Sequence, residues 1–374
     1  MNRIPLLVPK MPNADSLLPY LRQIDANQKY TNFGPLNAEF ERRLIDDVAT
    51  GLSTANVTTV SNCTVGLELT LQAHGLAPGA NVLIPAITFV ATATAAIRIG
   101  MVPVISDVDP ANWLLTPALA DVARRDRPID LVMPVATFGC PHDTAEWDKF
   151  TARTGIPVVI DAAGAYGNQK VGATTDVVFS FHATKSFGAA EGGAVLSANA
   201  ARIASVRKLA NFGIDTSISQ LTAFGTNGKM SEYHCALGLA SFDEWERTKA
   251  ERRTLSQRYI AMLRQHCPTV QFQAKPNEGI YPLMSILLPS GVEAATVAAE
   301  LAMQNIETRR WYCPGLNRHP ALSSAVTIGE LPVSEDIGER ILGLPFFIGM
   351  SDKQIVSVAE QLASALARHG GERA

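Results

Sequence analysis

The stretch DVVFSFHATKSFGAAEGGAVLS (residues 176–197) decides how the rest of the chain is read. Residues 177–181 are rich in β-branched and aromatic side chains, the composition of a buried strand. A polar turn, Thr184-Lys185-Ser186, comes next. A Gly-rich loop spans 188–193, and a second strand-like run covers 194–197. One ammonium group is thereby presented between two core strands. Burial lowers a lysine's pKa towards that of a useful nucleophile or base, so Lys185 points to Schiff-base chemistry. A surface hairpin with a solvated lysine at its tip has the same pattern. The flanking sequence has to choose between them.

Working outward, strands and helices alternate. Short strands are predicted at 57–60, 81–84, 102–107, 131–137 and 157–160, and helices at 37–48, 65–74, 88–100 and 144–154. Asn37 is the expected N-cap of the first of these helices. Such alternation predicts an α/β fold with a mostly parallel sheet covered by helices, whose site lies at the carboxyl ends of the strands. Residue Asp161 follows the 157–160 strand and so sits at that edge, as a site carboxylate or as a turn cap. Ser61-Asn62-Cys63-Thr64 joins a strand to a helix start. There, free N–H groups and the helix dipole favour a phosphate, although Ser61 or Thr64 as a plain cap explains the same residues.

Downstream of residue 197 a helix is expected to 212, a loop at 217–229 and one long helix from 231 to about 263, bridging two domains. The last 110 or so residues offer strand-like runs at 270–273 and 281–288 and helices at 292–304 and 353–368, a small α/β domain. The division expected is an N-terminal arm (1–30), a large domain (31–245) and a small C-terminal domain (246–374).

Composition excludes several classes. With 374 residues, 47% hydrophobic and 18% charged, the chain can bury a large core. A net charge of −3 gives no electrostatic footprint for nucleic acid. Five scattered cysteines without a CxxC pair argue against a disulfide framework and a zinc site, and for a reducing cytosol. Cys140-Pro141-His142 has no second ligand pair nearby. The apolar run at 4–8 is too short and too broken by proline for a signal peptide, and no run reaches the length of a membrane span. A cytoplasmic protein is expected.

At this point a resemblance becomes specific. TNFGPLNAEFERRL (31–44), SNCTVGLELTLQAHGL (61–76), PAITFVATATAAI (85–97), GMVPVISDVDP (100–110), PVVIDAAGAYG (157–167), FSFHATKSFGAAEGG (179–193) and TNGKMSEYHCALGLA (226–240) occur in this order. TRRWYCPGLNRHP (308–320) and LPVSEDIGERILGLPFF (331–347) follow. Together they resemble the DegT/DnrJ/EryC1/StrS family of pyridoxal-phosphate sugar aminotransferases over nearly the whole chain. The resemblance implies fold type I: a large α/β domain with a seven-stranded sheet, a small C-terminal domain, and a homodimer with shared active sites.

It also implies roles. Lys185 matches the lysine that links covalently to pyridoxal 5'-phosphate and then shuttles the proton. Asp161 matches the carboxylate that pairs with the pyridinium nitrogen. Cys63, Thr64, Val65 and Ser180 match the phosphate cradle, Phe89 the aromatic stacked on the ring, and Asn227 the asparagine that reaches the phosphate from the neighbouring subunit. Four positions depart from the family pattern. Gly164 stands where Gln or His contacts the phenolic oxygen, Cys63 where Gly is usual, Lys229 near a usual Arg, and Ala136 for the His of a common PVH motif. Candidate substrate contacts are Phe33, His182, Lys229, Arg309, Trp311 and Tyr312, with Arg310 and Arg318 as further diphosphate partners by charge. His182, Trp311 and Tyr312 can equally be a satisfied polar group and core packing.

The implied activity is transamination of a nucleotide-linked keto-deoxysugar, with L-glutamate as donor. TNFGPL, DAAGA and TRRWYCP resemble the viosamine-type branch, which implies a dTDP-linked 4-keto-6-deoxyhexose acceptor and an amino sugar for surface polysaccharide or glycoside biosynthesis. A 3-keto-sugar aminotransferase is the alternative. A family dehydratase would replace the lysine by histidine, against Lys185. A non-catalytic cofactor-binding protein would carry an added domain, for which no residues remain.

Overall fold

Strand β1 (Val57–Val60) is fully buried and runs straight into helix α3 (Cys63–Ala73), and this join organises one edge of the molecule. The computed structural model describes residues 3–48 and 51–369. Residues 1–2 of the expected arm and 370–374 of the expected small domain therefore lie outside the described residues. Ahead of β1 come helices α1 (Ala14–Asn27) and α2 (Pro35–Val48). After α3 follow β2 (Asn81–Pro85), α4 (Val90–Arg98), β3 (Val102–Ser106), α5 (Pro117–Asp126), β4 (Leu131–Val132) and α6 (Thr144–Thr154). Next are β5 (Val159–Asp161), β6 (Asp176–Ser180), β7 (Gly193–Leu196), α7 (Ala200–Ala210) and the short hairpin β8 (Ile214–Asp215) and β9 (Gln220–Leu221). The chain continues through α8 (Glu232–Asp243), α9 (Trp245–His266), β10 (Gln271–Phe272), β11 (Met284–Leu287) and α10 (Ala294–Met303). It closes with β12 (Val326–Thr327), α11 (Pro332–Arg340), β13 (Ile341–Leu344) and α12 (Asp352–His369).

The main sheet runs β12-β3-β2-β4 and β5-β6-β7-β1. Parallel bridges at Val132–Val158 and Val135–Asp161 join the halves between β4 and β5. Every pairing is parallel except those of β7, which runs antiparallel to β6 and β1. The fold is the α/β architecture expected. An eighth short strand, β12, joins the edge from the C-terminal part. The carboxyl ends of β1, β2, β5 and β6 therefore point the same way. They carry Asn62–Thr64, Phe89, Asp161 and Ser180.

Local readings needed correction. The strand expected at 131–137 stops at Val132, because Pro134 has no N–H for the ladder and Phe138 takes a left-handed conformation (φ 58°). Asn37 does not cap α2. It is buried inside the helix, and the Glu232 carboxylate, from α8, accepts from Leu36 N at 2.8 Å and Asn37 N at 2.9 Å instead. Neither Ser61 nor Thr64 caps α3: Asn62 does, accepting from Val65 N at 2.9 Å. The single helix expected from 231 is two, broken at Glu244. The 281–288 run narrows to Met284–Leu287.

Two hydrophobic clusters cover the faces of the sheet. One includes Phe40, Tyr166, Phe181, Phe187, Phe242 and Trp245; the other includes Leu67, Ile84, Ile105, Val159 and Val178. A further cluster gathers Leu255, Tyr259, Ile286, Val297, Leu342, Val358 and Leu362 with Ile4 from the chain's start. Helix α9 spans the junction, with Trp245 in the first cluster and Leu255 in the last. The N-terminal segment bridges them too. Ile4 pairs with Ile306, whereas α1 buries Ile24 against the first core.

Candidate active site

Asp161 ends β5 and is 4% exposed. Its Oδ2 accepts from Thr92 Oγ1 at 2.8 Å and its Oδ1 from Ala163 N at 3.1 Å. Thr92 spends its proton on the carboxylate, so Thr88 Oγ1, 2.8 Å away, donates to Thr92. Burial pushes the Asp161 pKa up; the Thr92 and Ala163 bonds and the Lys185 charge pull the other way. No cation forms an ion pair with it among the described residues. Thr92 was not anticipated: its helix read as small residues packed on a sheet. The signal was a threonine one turn after Thr88 on the face towards the strand ends.

Lys185 lies in the loop between β6 and β7, held by its own N–H to His182 O at 2.9 Å. Burial lowers its pKa, against the pull of Cys63 and Asp161. Its ammonium forms no hydrogen bond or ion pair among the described residues. A half-buried amine and a buried carboxylate, each lacking a counter-ion in contact among the described residues, thus lie within electrostatic reach of one another. That is the donor set for a group carrying a carbonyl at one place and a basic ring nitrogen at another.

Around them stand the other residues. Cys63, Thr64 and Val65 form the first turn of α3. Asn62 caps only the Val65 N–H, so those of Cys63 and Thr64 have no acceptor among the described residues and are available to an anion. A Cβ on Gly193 would come 2.9 Å from Cys63 N, so glycine is needed for β7 to pass this turn. Ser180 ends β6 and is buried, its Oγ accepting from His182 N at 3.3 Å. Phe89, directly before α4, is 57% exposed, an aromatic face left open at the strand ends. Tyr312 lies 6.4 Å from Phe89 and stacks on Phe138 at 5.2 Å. Its hydroxyl pKa is raised by burial and by the Asp161 charge. These residues fit a planar, phosphorylated, ring-nitrogen cofactor.

Other sequence candidates flank this group: the Gly228 carbonyl, between Asn227 and Lys229, accepts from Ser61 N at 2.7 Å, and His182 N donates to Ser180 Oγ. Phe33 covers the Arg207 guanidinium at 4.0 Å and lines an open surface groove of about 390 Å³ with Asn211 and Ile214. Lys229 donates to Asn211 Oδ1 at 3.2 Å, and Asn227 is exposed beside it, pairing with Asn211. His182 is satisfied locally by Thr184 at 2.9 Å. Gly164 lies against the Gly139 turn. A Cβ there would meet Gly139 N at 3.4 Å and Pro282 at 3.8 Å. Cys140 and His142 do not converge: His142 donates from Nε2 to Val135 O at 2.9 Å, and Cys140 turns to Ala274 O. No cluster of three metal-binding side chains and no helix long and apolar enough to cross a membrane occurs among the described residues.

Fold and strand-end residues together define a fold-type I, pyridoxal-phosphate-dependent aminotransferase architecture. Over residues 13–363 the chain matches the DegT/DnrJ/EryC1/StrS aminotransferase family. A Mycobacterium tuberculosis protein whose name states no activity is 31% identical, over 98% of this chain and 91% of the relative. A dTDP-4-amino-4,6-dideoxy-D-glucose transaminase of Escherichia coli is 28% identical, over 96% of this chain and 98% of the relative. The crystal structure of DesI in the presence of its TDP-sugar product aligns with a TM-score of 0.86 and 30% identity, covering 100% of this chain and 95% of that one. The chain belongs to the DegT/DnrJ/EryC1/StrS aminotransferase family.

Proposed function

We propose that this enzyme transfers an amino group from L-glutamate to a nucleotide-linked keto-deoxysugar, with pyridoxal 5'-phosphate as cofactor. The observation that carries the reading is the pairing of half-buried Lys185 with buried Asp161 at the strand ends, both without a counter-ion in contact among the described residues. The names of the Escherichia coli relative and of the DesI complex support a sugar acceptor. A dTDP-linked 4-keto-6-deoxyhexose is the acceptor proposed, giving an amino sugar nucleotide.

When bound, pyridoxal 5'-phosphate supplies a carbonyl that condenses with amines and a ring that accepts electron density from the adjacent carbon. Lys185, held towards its neutral form by burial, is the amine that anchors the cofactor. The same amine would be placed to move a proton at the reacting carbon. Asp161 would hold the proton on the ring nitrogen, its carboxylate fixed in direction by the Thr92 hydroxyl and the Ala163 N–H. The Cys63 and Thr64 N–H groups and the Ser180 hydroxyl would hold the phosphate, with Val65 beside them. Phe89 would cover one face of the ring. Gly164 brings no side chain to the phenolic oxygen.

Asn227 and Lys229 are exposed or half-exposed beside a hairpin carrying Ile218, Leu221 and Phe224 at the surface. They serve the site of a second copy in this reading, so the working unit is a homodimer. Residues 31–245 then form the cofactor-binding domain, 246–374 the small domain, and 1–30 an arm. The cytoplasm is the proposed location.

The test is to convert the holoenzyme to its amino form with L-glutamate, then offer dTDP-linked 4-keto and 3-keto sugars separately. Return of the cofactor's visible band with the 4-keto sugar, with aminated product by mass, is expected. Return with the 3-keto sugar alone overturns the acceptor assignment. Return with 2-oxo acids alone overturns the sugar reading.

A further inference from the structure

Four cations stand as candidates for a substrate diphosphate, and their surroundings separate them. Arg318 is in an ion pair with Glu335. Arg310 donates from Nη2 to Gly338 O at 2.6 Å. Lys229 donates to Asn211 Oδ1 and lies 4.6 Å from the centre of the Phe212 ring. Alone of the four, Arg309 has no acceptor for its guanidinium among the described residues. Its guanidinium carbon instead lies 4.6 Å from the centre of the Trp311 ring.

Arg309 is nonetheless firmly placed. Its N–H donates to Gly343 O at 3.0 Å, and the Gly343 N–H donates back to Arg309 O at 2.7 Å, which ties it to β13. A Cβ on Gly343 would lie 2.2 Å from Trp311 Nε1, so the glycine is what lets the indole seat against this strand. The indole in turn holds the guanidinium by a cation–π contact. Trp311 is 6.4 Å from Tyr312, and Tyr312 is 6.4 Å from Phe89. An aromatic row thus leads from the open face beside Asp161 to an exposed, uncommitted arginine. Both belong to one protomer.

We propose that Arg309, carried on Trp311, receives the diphosphate of the nucleotide-linked sugar and so selects nucleotide-linked over free sugars. The assignment rests on the sugar-nucleotide reading above. A guanidinium is always charged and offers parallel N–H donors that match two phosphate oxygens, and a planar stack on indole leaves those donors free at its edge. Each of the other three cations already shares its donors with a protein acceptor, and the Arg318 charge is in addition offset by Glu335.

The test is titration calorimetry of the cofactor-loaded protein with dTDP and, in parallel, with thymidine, which lacks the phosphates. Wild type is expected to bind dTDP far more tightly than thymidine. In Arg309→Gln the affinity for dTDP falls at least tenfold while that for thymidine stays the same, and Arg309→Lys recovers part of the loss. Arg318→Gln, whose cation is already paired, changes dTDP affinity by less than twofold. A general structural defect would weaken both ligands together. Wild-type affinity for dTDP in Arg309→Gln, or a larger loss in Arg318→Gln, overturns the assignment and leaves the enzyme class standing. Absence of any dTDP binding by wild type overturns the sugar-nucleotide reading itself, and this assignment with it.

Discussion

Replacing Thr92 by valine removes one hydroxyl from behind the site and keeps the side chain's shape. Thr92 Oγ1 supplies one of the two protein hydrogen bonds to the Asp161 carboxylate, at 2.8 Å. A hydrogen bond to a charged group contributes about 1.5–3 kcal/mol, which corresponds to roughly one to two pKa units. Burial already raises the Asp161 pKa, so valine raises it further. A carboxyl whose folded pKa is raised holds its proton more tightly in the folded than in the unfolded state. Cofactor-free protein therefore loses stability as pH rises from the ordinary carboxylate range up to the folded pKa, and Thr92→Val extends that loss to higher pH. A protonated ring nitrogen needs the ionised carboxylate. Affinity for pyridoxal 5'-phosphate should then fall by roughly tenfold to a hundredfold near neutrality. The assay is equilibrium titration by absorbance across a pH series, with thermal unfolding of the cofactor-free protein beside it. Thr92→Ser, which keeps the hydroxyl, should behave as wild type. Wild-type affinity and pH dependence in Thr92→Val would refute the reasoning.

Three further outcomes follow from other parts of the molecule. Burial holds the His142 pKa down to about 4 from 6.5; the protein should lose about 3 kcal/mol of stability as pH falls through that window, a slope that pH-dependent urea unfolding of His142→Gln should lack. Gly139 sits at φ 93°, and a Cβ there would come 2.9 Å from Gly164 O; Gly139→Ala should cost about 1–3 kcal/mol in urea unfolding, against under about 1 kcal/mol for Gly164→Ala. Mixing Lys185→Ala and Asn227→Ala chains should restore one intact site per heterodimer, read as recovered turnover, whereas no recovery with confirmed heterodimers counts against a shared site.

Sequence pattern was most informative where local chemistry and topology agree. The two runs flanking Lys185 became β6 and β7 within one residue at each end, because β-branched and aromatic side chains alternate with nothing that interrupts the ladder. Asp161 at a strand's carboxyl end followed from the α/β alternation alone. What stayed hidden depends on partners distant in sequence. The carboxylate that caps α2 belongs to Glu232, 196 residues from Leu36, and no local capping rule reaches that far. Asn37 looked like a cap because asparagine usually is one, yet its side chain is spent on Thr59 and Cys235 in the core. Thr92 was invisible for a related reason: its function depends on which face of α4 meets β5. The choice among Arg309, Arg310, Arg318 and Lys229 could not be made from charge. It depends on which of them the fold has already paired.

The central claim is that Lys185 carries the cofactor. Its most direct measurement is borohydride reduction of the protein loaded with pyridoxal 5'-phosphate, followed by peptide mass analysis. The visible band should bleach irreversibly, with the added pyridoxyl phosphate mass on the peptide containing Lys185 and nowhere else. A protein that develops no band, or that carries the label on a different lysine, would contradict it.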